Sequence, residues 1–161
     1  MRNFGGSGIY ESSYLGKGHR IINIRSVGNG DYGIRISGYS HIIERCTAID
    51  NGGNGIYGGY GCAITGNTVG SNNQSDTDYY AGIYVSSDCM VKGNTLDNNK
   101  QNNIYVYNTD NIIEENLVTD STNGIRFFTT GNFYANNRAS GNTTNYVNTA
   151  GQTSGGGNYS F

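Results

Sequence analysis

A Gly-Ile or Asn-Ile dipeptide returns through this chain at a nearly fixed interval, and that interval limits the fold more than any other feature. It stands at Gly8-Ile9, Gly33-Ile34, Gly55-Ile56, Gly82-Ile83, Asn103-Ile104 and Gly124-Ile125, with a degenerate seventh at Asn145-Tyr146. The steps are 25, 22, 27, 21, 21 and 21 residues. A second column trails the first. It holds Asn67, Asn94, Asn116 and Asn137, with Cys46 and Ile24 in the same slot of the first two units. Three residues before each of these stands an apolar or aromatic residue: Ile21, Ile43, Ile64, Val91, Ile113 and Tyr134.

The apolar runs between these marks are short and often alternate, as in Ile34-Arg35-Ile36 and Ile104-Tyr105-Val106. That is strand periodicity. Gly and Asn, which tolerate the left-handed backbone of tight corners, separate the runs. A unit of about 21 residues, built from short strands and corners, is one coil of a solenoid whose stacked coils share a core that no single coil can bury. Asn side chains stacked at a corner bond to backbone and to one another, which explains a polar residue recurring among inward-facing ones. Leucine-rich repeats have a similar period but need several Leu per unit, and Leu is scarce here. The six-residue beat of hexapeptide helices is absent.

Composition narrows the class further. No run approaches the roughly 18 apolar residues of a membrane helix. The opening Met1-Arg2-Asn3-Phe4-Gly5-Gly6 has no apolar h-region, so no signal peptide is expected. With a net charge of -2 the chain lacks the basic excess of a nucleic-acid binder. The 14 Tyr and 5 Phe argue against disorder. Cys46, Cys62 and Cys89 are too few for a disulfide framework.

The segments Asn54-Gly55-Ile56-Tyr57, Cys62-Ala63-Ile64-Thr65-Gly66-Asn67-Thr68-Val69 and Cys89-Met90-Val91-Lys92-Gly93-Asn94-Thr95-Leu96 resemble repeats of the right-handed parallel β-helix family, the pectin-lyase-like superfamily. The resemblance spans nearly the whole chain. It implies an all-β, single-stranded right-handed parallel β-helix of about seven coils, one domain over 1–161, with coils at about 5–150 and a polar Gly-rich tail at 151–161. Seven coils at about 4.8 Å make a rod about 30 Å long. The superfamily holds polysaccharide lyases, hydrolases, esterases, epimerases and phage tailspikes, so it speaks to fold more than to function. It implies an extracellular or virion-surface setting. Its members usually carry an N-terminal helical cap, and nothing before Gly8 suits one, so either a piece of a longer parent or self-association through uncapped ends is expected.

If the Ile column points inward, the next residue points out. That column reads Tyr10, Arg35, Tyr57, Tyr84, Tyr105 and Arg126. Sugars stack on aromatic faces and Arg forks onto a uronate or sulfate, so a polysaccharide partner is expected along this stripe. Cross-strand stacking of Tyr explains the same pattern without a ligand. The longest unit carries an insertion, 71–80, beside the stripe. Its Tyr79 and Tyr80 can wall a groove, and its Asp76 and Asp78 offer a carboxylate pair or oxygen ligands for Ca²⁺. Asp31, near Arg35, is a further weak acid candidate. No complete catalytic signature of the superfamily is present: Asp-Pro-His is missing, and Gly18-His19-Arg20 matches only a fragment of a Gly-His-Gly motif.

His19, His41, Cys62, Cys89, Asn111 and Asn132 align in one further column. A His₂Cys₂ zinc site is excluded by spacing, since His19 and Cys89 lie three coils, roughly 14 Å, apart. The facing of this column is open at the level of sequence. The tail offers Tyr159 and Phe161 as its only anchors. Two functions therefore stand: a carbohydrate-binding or carbohydrate-processing module, and a structural solenoid serving as stalk, spacer or assembly piece.

Overall fold

A computed structural model describes residues 1–161. It is a right-handed parallel β-helix of about seven turns with no helix. Three parallel sheets of seven strands each form its walls. The first sheet runs from Ile9–Glu11 to Thr144–Val147, the second from Arg20–Ile22 to Thr153–Gly156, and the third from Arg25–Val27 to Tyr159–Ser160. Each coil visits the three sheets in turn and returns one layer further along.

Register follows the sequence columns. Ile34, Ile56, Ile83, Ile104 and Ile125 lie side by side in the first sheet, flanked by Ile9 and Tyr146. Ile43, Ile64, Val91 and Ile113 do the same in the second, and Ala48, Val69, Leu96 and Val118 in the third. These side chains are fully or almost fully buried and form one core. Each buried Ile, Leu or Val contributes about 1.5–3 kcal/mol relative to exposure.

The corners obey one local rule. A residue with left-handed backbone comes first, and the next residue turns inward as a rung. In the second coil the pairs are Ser40-His41, Arg45-Cys46 and Asp50-Asn51, with φ of 58°, 52° and 56° at the leading residue. The rule places three ladders on the solenoid where the sequence columns suggested one. Asn67, Asn94, Asn116 and Asn137 form the expected ladder. Each backbone N–H and side-chain amide donates to the Oδ1 of the next rung at 2.9–3.1 Å. Asn29, Asn51, Asn72 and Asn99 form a second. The third is the His and Cys column: His41, Cys62, Cys89, Asn111 and Asn132 are all buried and face inward.

The tail departs from expectation. Residues 153–156 and 159–160 are strands that complete the seventh coil. Gln152 accepts from the Asn132 backbone at 2.9 Å, and Asn158 accepts from Asn137 at 3.1 Å, so two of the three ladders find their next rung in the tail. At the other end residues 1–6 form a partial turn rather than a helix. Arg2 bridges to Val27 and the Phe4 N–H donates to Asn29 Oδ1.

Candidate functional site

The outward column of the first sheet is a continuous stack. Arg35 lies over the Tyr10 ring at 5.3 Å and over Tyr57 at 5.2 Å. Tyr57 stacks on Tyr84 at 4.9 Å and 13°, and Tyr84 on Tyr105 at 5.4 Å and 22°. Arg126 closes the column 5.4 Å from the Tyr105 ring. The rings lie nearly parallel from coil to coil, so their faces look along the solenoid and are spent on one another. An open row of ring faces is therefore not what the structure presents.

Two further departures sharpen this. Arg35 is enclosed by a third ring, Tyr32 at 4.9 Å, and its Nε donates to Ser37 Oγ at 3.4 Å. Tyr105 is completely buried. It contacts Tyr79 edge-on at 6.5 Å and 79°, and also Tyr107 at 6.5 Å and Phe128 at 6.3 Å. Alternation puts Tyr105 on the outer side of the sheet, but it carries no information about what the insertion lays over it.

The insertion is held in shape by its own polar groups. Asn73 Oδ1 accepts from the Thr77 N–H while its amide donates to the Thr77 carbonyl, both at 2.9 Å. Asn102, one coil on, donates to the carbonyls of Asp78 and Tyr80. Tyr80 packs against Tyr32 at 5.7 Å, on the Arg35 side. Tyr79 points the other way and is 59% exposed. With Tyr84, Tyr107 and Phe128 it walls a hollow of about 350 Å³ lined by these four aromatic rings alone. Tyr107 and Phe128 stack at 5.1 Å, and Phe128 is 51% exposed. Neither belongs to the Tyr10 to Arg126 column. They lie two positions further along their strands, where the other coils carry Ser37, Gly59 and Ser86, and only side-chain size marks them out.

Burial raises the phenol pKa of Tyr32, Tyr57, Tyr84 and Tyr105 above the ordinary range. All four hydroxyls are neutral at physiological pH. Tyr105 Oη and Arg126 Nε are buried without a hydrogen-bond partner.

The carboxylate candidates are dispersed into local roles. Asp31 Oδ2 accepts from Ser7 Oγ at 3.3 Å, and Asp76 Oδ1 accepts from Gln101 Nε2 at 2.9 Å. The Asp78 charge adds a small upward push to the phenol pKa of Tyr105, behind burial. No group of three or more His, Cys, Asp or Glu side chains converges anywhere in the chain. The structure thus assembles no oxygen cage around Asp76 and Asp78. A second hollow of about 450 Å³, lined by Glu115, Asn116, Leu117, Asn136 and Arg138, sits at another corner and has no ring to bind against.

A solenoid with parallel sheets, internal ladders and an aromatic hollow on the first sheet defines a parallel β-helix protein. Residues 5–159 match the family model described as "Periplasmic copper-binding protein (NosD)", and the chain belongs to that NosD family. No curated protein and no solved structure matches it.

The family description invites a test of the soft ligands present. His41 Nδ1 accepts the His19 backbone N–H at 3.1 Å, so a neutral ring carries its proton on Nε2 and has no lone pair left for a metal. Burial, then the neighbouring His19, lowers its pKa and keeps it neutral. The two imidazoles stack at 5.0 Å rather than converge. Cys46, Cys62 and Cys89 are buried free thiols. Cys89 Sγ donates to the carbonyls of Gly59 and Ser87 and accepts the Cys62 N–H. Burial raises the Cys46 thiol, and the neighbouring Cys62 side chain, then burial, raises Cys89, against the thiolate that a metal requires, while the same contact with Cys89 lowers Cys62. His41, Cys46, Cys62 and Cys89 are buried rungs, His19 is an exposed ring stacked on the first of them, and no three of these groups converge, so they do not fit a copper site.

Proposed function

We propose that this NosD-family chain is a carbohydrate-binding β-helix module that works outside the cytoplasm, with a sugar of a polysaccharide seated on the outer side of the first sheet. The hollow of Tyr79, Tyr84, Tyr107 and Phe128 carries this reading. A cluster of exposed rings on a polar scaffold is a surface kept for a partner. Its volume falls at the small end of ligand sites. A pyranose suits it, because C–H groups meet the rings while ring hydroxyls exchange hydrogen bonds with neutral phenols. Arg126, which forms no ion pair, lies beside the hollow and gives an acidic sugar a cation to approach. The lining holds no carboxylate to act as acid or base, so the reading is recognition rather than cleavage. The periplasmic setting in the family description supports the compartment.

The test is a panel of neutral and acidic polysaccharides offered to the parent chain and to Tyr107→Ala/Phe128→Ala, matched for folding by circular dichroism. Binding by the parent and an affinity lower by about tenfold or more in the variant are expected. A parent that binds no member of the panel defeats the reading. The continuous stack from Tyr10 to Arg126 favours a second one, a ligand-free spacer whose rings serve only to join coils. Under it the double substitution changes stability and nothing else.

A further inference from the structure

We infer, resting on the carbohydrate reading, that the hollow takes a single sugar unit presented as a chain end or side branch, with Tyr79 as its wall, rather than a polymer laid along the solenoid. A polymer running along the stripe needs ring faces in successive coils. Those faces are occupied: neighbouring rings from Tyr57 to Phe128 lie 12–34° from parallel, each turned to the next. Towards the first coils the stripe is closed, because Arg35 is sandwiched by Tyr10, Tyr32 and Tyr57. In the fifth coil Tyr105 is fully buried. What remains open is one hollow, spanning the fourth to sixth coils.

Tyr79 is the lining ring that stands outside the parallel stack, at 79° to Tyr105. It is carried by the insertion, and the Asn73 and Asn102 hydrogen bonds hold its loop without using its side chain. A sugar therefore packs between Tyr79 and the edges of Tyr84, Tyr107 and Phe128. Tyr105 touches each of these four residues, with ring centroids 5.4–6.5 Å away. Its hydroxyl and the neighbouring Arg126 Nε are buried donors lacking an acceptor. An oxygen of the bound sugar, admitted as Tyr79 gives way, satisfies them. A chain end or branch brings such an oxygen inward, whereas an internal unit is tethered on both sides.

Homopolymers of galacturonate, glucuronate, mannose, xylose and galactose, with size-defined fragments of one to six units, provide the test by isothermal titration calorimetry. For the sugar that binds, the dissociation constants of the one- or two-unit fragment and the six-unit fragment are expected to agree within about threefold. Tyr79→Ala is expected to weaken binding about tenfold with an unchanged far-ultraviolet circular dichroism spectrum. Affinity that climbs about tenfold or more from two to six units overturns the single-unit site and leaves carbohydrate binding standing. Unchanged affinity in Tyr79→Ala overturns the role of that ring. If no sugar binds, this inference falls together with the function on which it rests.

Discussion

Replacing Asn94 by Ala removes one rung from the middle of a ladder, and its effect follows from the bonds. Asn94 Oδ1 accepts the Asn67 N–H and the Asn67 side-chain amide, both at 2.9 Å. Its own amide donates to the Ile64 carbonyl at 2.9 Å and to Asn116 Oδ1 at 3.0 Å. Alanine strands two buried donors of Asn67 and withdraws a donor from each of two acceptors. Asn116 Oδ1 keeps the Asn94 backbone N–H. Two stranded donors at about 1–3 kcal/mol each give a destabilisation of about 2–6 kcal/mol, which competes with the whole stability of a small domain. With a urea slope of about 2 kcal/mol per molar, the midpoint falls by about 1–3 M. Asn108→Ala is the control, since that side chain is half-buried and forms no hydrogen bond. Urea titrations of both variants, followed by far-ultraviolet circular dichroism and tyrosine fluorescence, measure the difference. A gap between the two variants under about 0.5 kcal/mol refutes the claim that the rungs hold the coils together.

Three other outcomes follow. The folded pKa of His41 lies below its ordinary 6.5, mainly through burial, so its contribution to stability is complete above 6.5 and is lost as pH falls from there through the lowered value. His41→Asn, which installs the residue used by Asn111 and Asn132, is expected to flatten the urea midpoint between pH 5.5 and 7.5 relative to the parent; an unchanged slope refutes this. Deleting residues 152–161 removes the acceptors of Asn132 and Asn137 and is expected to cost about 1–3 kcal/mol, read by thermal unfolding; an unaltered midpoint shows the tail to be dispensable. The folded chain is expected to retain no copper after desalting from Cu(I) or Cu(II), and its three thiols to react with a thiol reagent only on unfolding. One retained equivalent that vanishes in Cys62→Ser or His41→Asn contradicts the ladder role of those residues.

The solenoid was legible because its determinants are local and repeated. Gly or Asn at a corner and Ile at the head of the following strand or two residues into it recur whatever surrounds them. The same rule extends to the tail, where Asn158 follows Asn137 by 21 residues and Gln152 follows Asn132 by 20. Gly-rich composition masked that spacing. The third ladder showed as a column whose facing stayed open for a chemical reason: His, Cys, Asn and Gln all serve as rungs, since each offers an acceptor to the N–H of the preceding coil. The site was only half legible. Alternation located the outward column, but ring orientation arises from contacts between coils. The burial of Tyr105 arises from an insertion whose path the repeat does not specify. Tyr107 and Phe128 were passed over because their column is otherwise Ser and Gly.

The most direct measurement of the central claim is a ring-proton NMR titration with a bound sugar from the panel. Shifts confined to Tyr79, Tyr84, Tyr107, Phe128 and the Tyr105 they surround are expected, while the separate stack of Tyr39 on Tyr60, 5.2 Å apart at the ends of two earlier strands of the same sheet, stays still. Shifts at Tyr39 and Tyr60, or none at the four lining rings, contradict the site.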